Sequence, residues 1–322
     1  MKIFERRTHE YYIEQRIFWI KFRFLNKKGF NLLENMPNLL DGVRYQVSDP
    51  NAKNIYRIPK VYDNKKTIQQ LVQGGFSLAR YGDGEFRCMQ GYPIPFQKPN
   101  AELSERLKEI LANDNKKLLV GIPNYFGATD SRIWADYCSR IRHLVYQYIT
   151  FDKYYVDACV TRLYGCNPAN AENAKKLFSE FKKIWNDKDI IFVEGEESRL
   201  GYGNDLFSNA RSIKRILCPK VDAYSAYDRI FAVCKKQSKN CLFILALGPT
   251  ATVLADDLSK IGYRALDLGH LDIEYEWMKM NADHIVPIPS KYTNEAKGGR
   301  KVKDVQDEVY LSQIISRINS DK

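Results

Sequence analysis

The sequence predicts an α/β protein built on an open, mostly parallel sheet of about six or seven strands, with helices on both faces. Three observations carry that reading. Short apolar runs alternate along the chain with stretches of helical periodicity. Several of these runs empty into loops rich in glycine and acids, as the carboxyl ends of parallel strands do. The 322 residues, 44% of them hydrophobic, can bury a sizeable core.

The chain begins with a basic segment. From Lys2 to Lys28, eight basic and three acidic residues interleave with apolar ones that include Phe18, Trp19 and Phe22. Ile13, Ile17, Ile20 and Phe24 fall on one helical face, so an N-terminal amphipathic helix is expected. Lys21 and Arg23 break the apolar run, leaving it too short and too charged to span a bilayer. No small-residue cleavage site follows, so it does not read as a secretory signal. It either packs on the rest of the chain or, as residues 1–30, makes a peripheral contact with an anionic membrane. Residues 36–62, with Pro37, Pro50 and Pro59, read as an irregular connector. The expected division is 1–62 for helix and connector and 63–322 for a single domain.

A helix is expected over about 64–73, with Gly74 as its stop. Phe76 to Arg80 alternates like a strand and runs into Tyr81-Gly82-Asp83-Gly84-Glu85. In extended backbone, residues i and i+2 point to the same side, so Asp83 and Glu85 are expected to converge. Converging carboxylates at a strand's carboxyl end suit a hard divalent cation, Mn²⁺ or Mg²⁺, shared with substrate phosphates. Arg80 and Arg87 flank them and can pair with phosphate oxygens. The alternative is a solvated turn whose acids face water. Asn100 then caps a helix, and 117–122 reads as a strand ending in the loop 123–130. An amphipathic helix over 132–148, a strand over 155–162, a helix over 170–185 and a buried strand over 189–193 follow. Further strands near Arg215, Leu242 and Arg264 complete the alternation.

Three later strand ends carry chemistry. The first empties into a loop holding Glu194, Arg199, Gly201, Gly203, Asn204 and Asp205, which reads as a ligand-closing loop or as plain surface. At the second, Gly248 and Pro249 open a helix with Thr250, Ala251 and Thr252, a terminus able to aim N–H groups at an anion. Neither a Walker lysine nor a G-x-G-x-x-G pattern accompanies it, and a well-capped structural helix is the alternative. The third is Asp267-Leu-Gly-His270, followed by Asp272, Glu274 and Glu276. On a helix, i and i+2 lie about 200° apart, so this acidic set suits a chelate less well than Asp83 and Glu85. His270, Asp272 and Glu276 are candidates for acceptor binding or for a general base; acids placed for the helix dipole are the alternative.

Charge and cysteines bound the setting. Fifty Lys and Arg against 39 Asp and Glu give a net +11, favouring an anionic partner. The basic residues are spread and no RNA-binding motif is seen, so no nucleic acid is expected. Seven cysteines without a C-x-x-C pair read as reduced thiols of a cytoplasmic protein. The four histidines are scattered, so no zinc site is expected.

Four stretches in register, RYGDGEF, VEGEESRLGYGNDLF, LALGPTATVLADDL and DLGHLDIEYEW, resemble the bacterial GT-D-type glycosyltransferases. That family includes an enzyme extending the glycan of serine-rich adhesins, and other members accompany cell-surface polysaccharide genes. The likeness covers roughly residues 65–318 and leaves the basic N-terminal segment outside. It implies a Rossmann-like domain that transfers a hexose such as glucose from a UDP-sugar to a glycan, glycolipid or glycoprotein acceptor. It places the family's D-x-E on Asp83 and Glu85 as Mn²⁺ ligands. It also implies that the loop of Arg199, Gly201, Asn204 and Asp205 and the turn Gly248-Pro249-Thr250-Ala251 hold the nucleotide. Lys291 and Tyr292-Thr-Asn-Glu295 fit the family's tail, which closes over the site. Two other classes stay open on the residues alone. One is a metal-dependent phosphohydrolase acting on a nucleotide or sugar phosphate; the other is a non-enzymatic basic module for RNA or membranes.

Overall fold

A computed structural model describes residues 4–9, 12–17, 20–29, 59–112, 114–124, 141–142 and 144–320. By internal contacts the chain divides into two units, residues 1–58 with 125–147 and residues 59–124 with 148–322.

In the first unit, Phe4–Thr8 (β1), Tyr12–Ile17 (β2) and Ile20–Leu25 (β3) pair antiparallel in the order β1-β2-β3. This replaces the expected amphipathic helix, and the register explains why. Ile13 pairs with Phe24 and Ile17 with Ile20, so the four residues that share a helical face also share one side of a hairpin. The strict alternation Ile20-Lys21-Phe22-Arg23-Phe24 favours the strand, as do its aromatic and β-branched residues. Between the strands, the Glu14 carboxylate lies 3.1 Å from both Lys21 and Arg23. The connector over 36–58, the loop over 125–130 and most of the helix expected over 132–148 lie outside the described residues.

Parallel pairing organises the second unit. Its strands are Lys60–Val61 (β4), Ser77–Arg80 (β5), Leu118–Ile122 (β6), Tyr154–Asp157 (β7), Asp189–Gly195 (β8), Ser212–Cys218 (β9), Leu242–Ala246 (β10), Arg264–Asp267 (β11) and Ile314–Arg317 (β12). These nine described strands lie in the order β12-β9-β8-β10-β11-β5-β6-β7-β4, with every pairing among them parallel. The two edge strands exceed the expected number: β4 has only two residues, and β12 is an edge strand of half-buried and exposed residues with no apolar run to mark it. The strand expected to reach 162 stops at Asp157, whose carboxylate accepts from the Cys159 amide and starts a 3-10 turn over Ala158–Thr161.

The helices around this sheet include Asn64–Gln73 (α1), Asp83–Met89 (α2), Ala101–Ala112 (α3), Ala171–Trp185 (α4), Tyr227–Lys235 (α5), Pro249–Lys260 (α6), Leu271–Lys279 (α7) and Glu308–Ser312 (α8). The pleat sorts the core. Leu78, Phe192, Ile244 and Leu266 join Phe178, Phe181 and Trp185 of α4 in one apolar cluster. Their neighbours Ala79, Val193, Leu245 and Ala265 point the other way and are also buried, on the side where α6 packs on β5 and β11. Adjacent strands β5 and β11 then send their helices to opposite faces: α2 packs with α3 and α6, and α7 with α4. A crevice outside the carboxyl ends of such a strand pair is where open α/β sheets bind ligands. No disulfide joins the described cysteines, and Cys88, Cys218, Cys234 and Cys241 are buried.

Candidate active site

Arg80, the last residue of β5, ties the crevice together. Its Nε donates to the Asp267 carbonyl at 2.8 Å, and Nη2 to Asp267 Oδ1 at 2.9 Å and the Gly269 carbonyl at 3.1 Å. Nη1 donates to the Ala158 carbonyl at 3.1 Å and Thr161 Oγ1 at 2.8 Å. All five guanidinium N–H groups are thus committed to the protein. Arg80 binds the ends of β5, β7 and β11 into one rigid floor rather than offering a free fork to phosphate.

The acidic turn departs from the expected extended backbone. Gly82 is extended, but α2 begins at Asp83, which puts Asp83 and Glu85 in its first turn. The cause is the return half of a capping box: Glu85 Oε2 reaches back to accept from the Gly82 amide at 2.7 Å. The buried residues Phe86 and Met89 then supply the inward face. Asp83 stays exposed while Glu85 is half-buried. Burial, and then the charge of Asp267, raise Glu85 from 4.5 to about 7, against the opposing pull of the Gly82 amide and Arg80. A half-buried carboxylate raised by an acidic neighbour is a place where added positive charge is favourable. On a helix i and i+2 lie about 200° apart, so this backbone does not bring Asp83 and Glu85 to one point as the extended reading expected. Each still offers a carboxylate of the hard-oxygen type that a divalent cation takes together with substrate phosphate and water. Among the described residues no group of three or more His, Cys, Asp or Glu side chains gathers around one point. Arg87 is exposed and donates to the Pro93 carbonyl at 3.4 Å.

Beside Asp267, His270 caps α7 in a left-handed conformation, φ 73°, and the helix begins at Leu271, so Asp272 lies inside its first turn. His270 Nε2 lies 3.3 Å from Glu295 Oε1. Arg162 in turn grips Glu295 with both nitrogens, at 3.0 and 2.5 Å. Burial, then the Arg162 charge, lower the His270 pKa, with Glu295 pulling it back. The imidazole is therefore neutral at neutral pH and can take a proton.

Asp272 and Glu276 lie in a different setting. Lys291, fully buried, donates to Asp272 Oδ2 at 2.6 Å and Glu276 Oε1 at 2.8 Å. Asn204 Nδ2 bonds the same two carboxylates at 2.8 and 2.7 Å, and the Gly201 amide adds a bond to Asp272 at 3.0 Å. These acids fasten the Arg199 loop to α7. Asp205 does so from outside: it accepts from Lys182 at 3.0 Å, Lys279 at 3.1 Å and Tyr275 at 3.0 Å, and its pKa falls below the usual carboxylate range. Arg199, at φ 51°, donates to the Ser290 and Lys303 carbonyls. Glu194 is buried against Arg215 at 2.5 Å.

At the start of α6, Gly248 holds φ 55°, and a Cβ there would stand 2.5 Å from the Phe96 ring. Pro249 occupies the first helical turn, and the Ala251 amide closes on the Gly248 carbonyl at 2.8 Å. The Thr250 and Thr252 hydroxyls are spent on Gln97 Oε1 at 3.4 Å and the Arg80 carbonyl at 3.0 Å. The Phe96-Gln97 segment therefore covers this helix terminus.

Sequence reasoning singled out Asp83, Glu85, Arg80 and His270, and the structure brings Arg80 and His270 to one crevice with Glu85 beside Asp267. It missed Arg162, whose signal was a lone cation inside the otherwise uncharged run Ala158 to Gly165. It also missed the depth of Lys291, for which the polar stretch around it holds no signal.

A family model described as "Glycosyltransferase GT-D fold" matches residues 78–296. The chain is 36% identical over 262 residues to "Probable glycosyl transferase Gly" of Streptococcus gordonii, covering 79% of this chain and 38% of that protein. It is equally similar to "Glycosyltransferase GlyD" of Streptococcus pneumoniae serotype 4, covering 79% of this chain and 32% of the relative. The chain thus spans about a third of the length of these curated relatives. A solved structure described as "The highly conserved domain of unknown function 1792 has a distinct glycosyltransferase fold" superposes with a TM-score of 0.75 at 32% identity, over 87% of this chain and 99% of that one. Another, "A New Glycosyltransferase (DUF1792) from Streptococcus sanguinis", gives a TM-score of 0.73 at 35% identity, over 81% and 100%.

Proposed function

The chain belongs to the GT-D glycosyltransferase fold family, and from that premise we propose that it moves a hexose, glucose in our reading, from a UDP-sugar to a glycan, glycolipid or glycoprotein acceptor. The observation that carries this reading is the match of residues 78–296 to the glycosyltransferase family, a span that takes in Asp83, Glu85, Asp267 and His270. A Mn²⁺ or Mg²⁺ ion held by Asp83 and Glu85 would neutralise charge on the departing diphosphate.

The rest falls to the chain's own groups. Arg80 keeps the ends of β5, β7 and β11 in fixed relation, so that donor and acceptor meet in one geometry. The Gly248 turn and the Arg199 loop, with Gly201, Asn204 and Asp205, shape the walls of the nucleotide site through their backbone, their side chains being bonded within the protein. His270, neutral at neutral pH, accepts the proton of the acceptor hydroxyl as the bond to the anomeric carbon forms. In this reading Asp272 and Glu276 hold the loop and leave the base role to His270.

The basic hairpin sheet adds a location. Phe22 and Phe24 are exposed and stack with ring centres 6.2 Å apart, and basic residues outnumber acids around them. Aromatic rings beside cations suit the headgroup region of an anionic bilayer. We place the enzyme at the cytoplasmic face of the cell membrane. No described helix is long and apolar enough to cross it.

A panel of nucleotide sugars with Mn²⁺, read by thermal shift and by UDP release, tests the reading. A UDP-hexose should stabilise the protein and release UDP only when an acceptor is supplied. Phosphate release without an acceptor would favour a hydrolase, and full activity in EDTA would remove the cation.

A further inference from the structure

We infer that Glu295, clamped by Arg162, is a positioning residue that holds the His270 imidazole by its Nε2–H and leaves Nδ1 as the basic nitrogen. This rests on the reading of His270 as the base. The three residues come from separate parts of the chain. Arg162 follows the 3-10 turn after β7, His270 follows β11, and Glu295 lies beyond α7. The first two are brought together by Arg80, which bonds Ala158 and Thr161 just before Arg162, and Asp267 and Gly269 just before His270.

The cluster is built for orientation more than for stability. An exposed ion pair between Arg162 and Glu295 would contribute little by itself. Here the same carboxylate oxygen that accepts from Arg162 also faces His270 Nε2. His270 is held at φ 73°, a conformation that costs a side-chain-bearing residue energy and that aims the ring at Glu295. About a third of each side chain remains exposed, 35% for His270, 34% for Arg162 and 29% for Glu295, so a substrate hydroxyl can reach the ring. The charged groups facing His270 are Glu295, Arg162 and Arg80. Burial works against ionisation of Glu295, but hydrogen bonds from His270 and Arg162 outweigh it and keep the carboxylate charged.

The step balances without a further reactant. The acceptor oxygen forms its bond to the anomeric carbon while the bond from that carbon to the diphosphate oxygen breaks, and its electron pair leaves with UDP. The acceptor proton passes to His270 Nδ1. The imidazolium so formed keeps its Nε2–H on the Glu295 carboxylate, which stabilises it, and then loses the new proton to water.

The experiment compares pH profiles of kcat/KM for the full chain with Glu295→Gln, Arg162→Gln and His270→Ala, alongside UDP-induced thermal shifts. Glu295→Gln should lower kcat roughly a hundredfold, leave the donor KM near its original value and move the acidic limb to lower pH, since the anion that favours the imidazolium is gone. Arg162→Gln should move that limb the other way. Nitrogen-15 spectra of the unmodified protein, with the His270 signals assigned by their loss in His270→Ala, should show Nε2 protonated and Nδ1 bare. Unmoved limbs with kcat unchanged in Glu295→Gln, or a ring protonated at Nδ1, would overturn the positioning role while leaving His270 as the base. Full transfer by a folded His270→Ala protein would instead overturn the reading on which the inference rests.

Discussion

Within ten residues the chain sets acids in two opposite environments. Asp267 and His270 stand at the crevice, beside Glu85, Arg80 and Glu295. Asp272 and Glu276 sit behind it, saturated by Lys291, Asn204 and the Gly201 amide. The interior acids are matched to a cation that never sees water, so they act as fasteners. Among the rim groups Glu85, His270 and Glu295 keep part of their exposure, and two of them are shifted so as to favour the uncharged form: Glu85 upward and His270 downward from its usual value. The difference teaches that a carboxylate's role here follows from which partners have already claimed its oxygens, and sequence spacing alone does not reveal that.

The largest effect should come from the rim. Asp83→Asn and Glu85→Gln should each cost transfer on the order of a thousandfold, the scale of several kcal/mol of lost charge stabilisation. Their fold should survive, as checked by circular dichroism. Glu85→Gln adds a sign. The folded-state pKa of about 7 lies above the ordinary 4.5, so the stability Glu85 contributes is intact below about 4.5 and is lost as pH rises through 7. Without metal, the glutamine protein should therefore melt higher than the parent at pH 8, and the gap should close in acid. An inactive protein that is also less stable at pH 8 would move Glu85 from the rim group to the fasteners.

Next comes the interior. Lys291→Met leaves buried Asp272 uncompensated and should cost about 3–5 kcal/mol of stability, measured by urea unfolding. A loss of activity with unchanged stability would contradict the division between the regions.

Much of this was legible beforehand. The positions of β5, β8, β10 and β11 and their loops followed from apolar runs ending in glycine, whereas their order in the sheet did not. Asp83 and Glu85 stood out by type, but their backbone did not, because Gly82 to Glu85 is equally a turn after a strand and a capping box before a helix. Only the Glu85 bond to the Gly82 amide decides between them. The N-terminal segment misled for a related reason, since Ile13, Ile17, Ile20 and Phe24 satisfy both a helical face and a hairpin register. The roles of Asp272 and Glu276 were hidden because Lys291, which claims them, lies 19 and 15 residues away respectively.

Two smaller effects sharpen the picture. Gly248→Ala meets both a positive φ and the Phe96 ring, so it should cost roughly 1–3 kcal/mol and weaken UDP binding in a thermal-shift titration. A normal melting temperature with normal UDP affinity would show that the turn yields easily. Mn²⁺ affinity should fall as pH drops through 7, because a proton competes for Glu85; calorimetry showing the same affinity between about pH 5.5 and 8 would place the ion elsewhere. Least of all, Phe22→Ser with Phe24→Ser should leave kcat on a soluble acceptor unchanged while reducing flotation with anionic vesicles.

The central claim is that the crevice between β5 and β11 holds the donor's diphosphate through a cation on Asp83 and Glu85. Anomalous diffraction from a crystal grown with Mn²⁺ and UDP tests it most directly. The account predicts a single strong manganese peak between those two carboxylates with the diphosphate beside it. Manganese and nucleotide lodged elsewhere, with Asp83 and Glu85 facing only water, would contradict it.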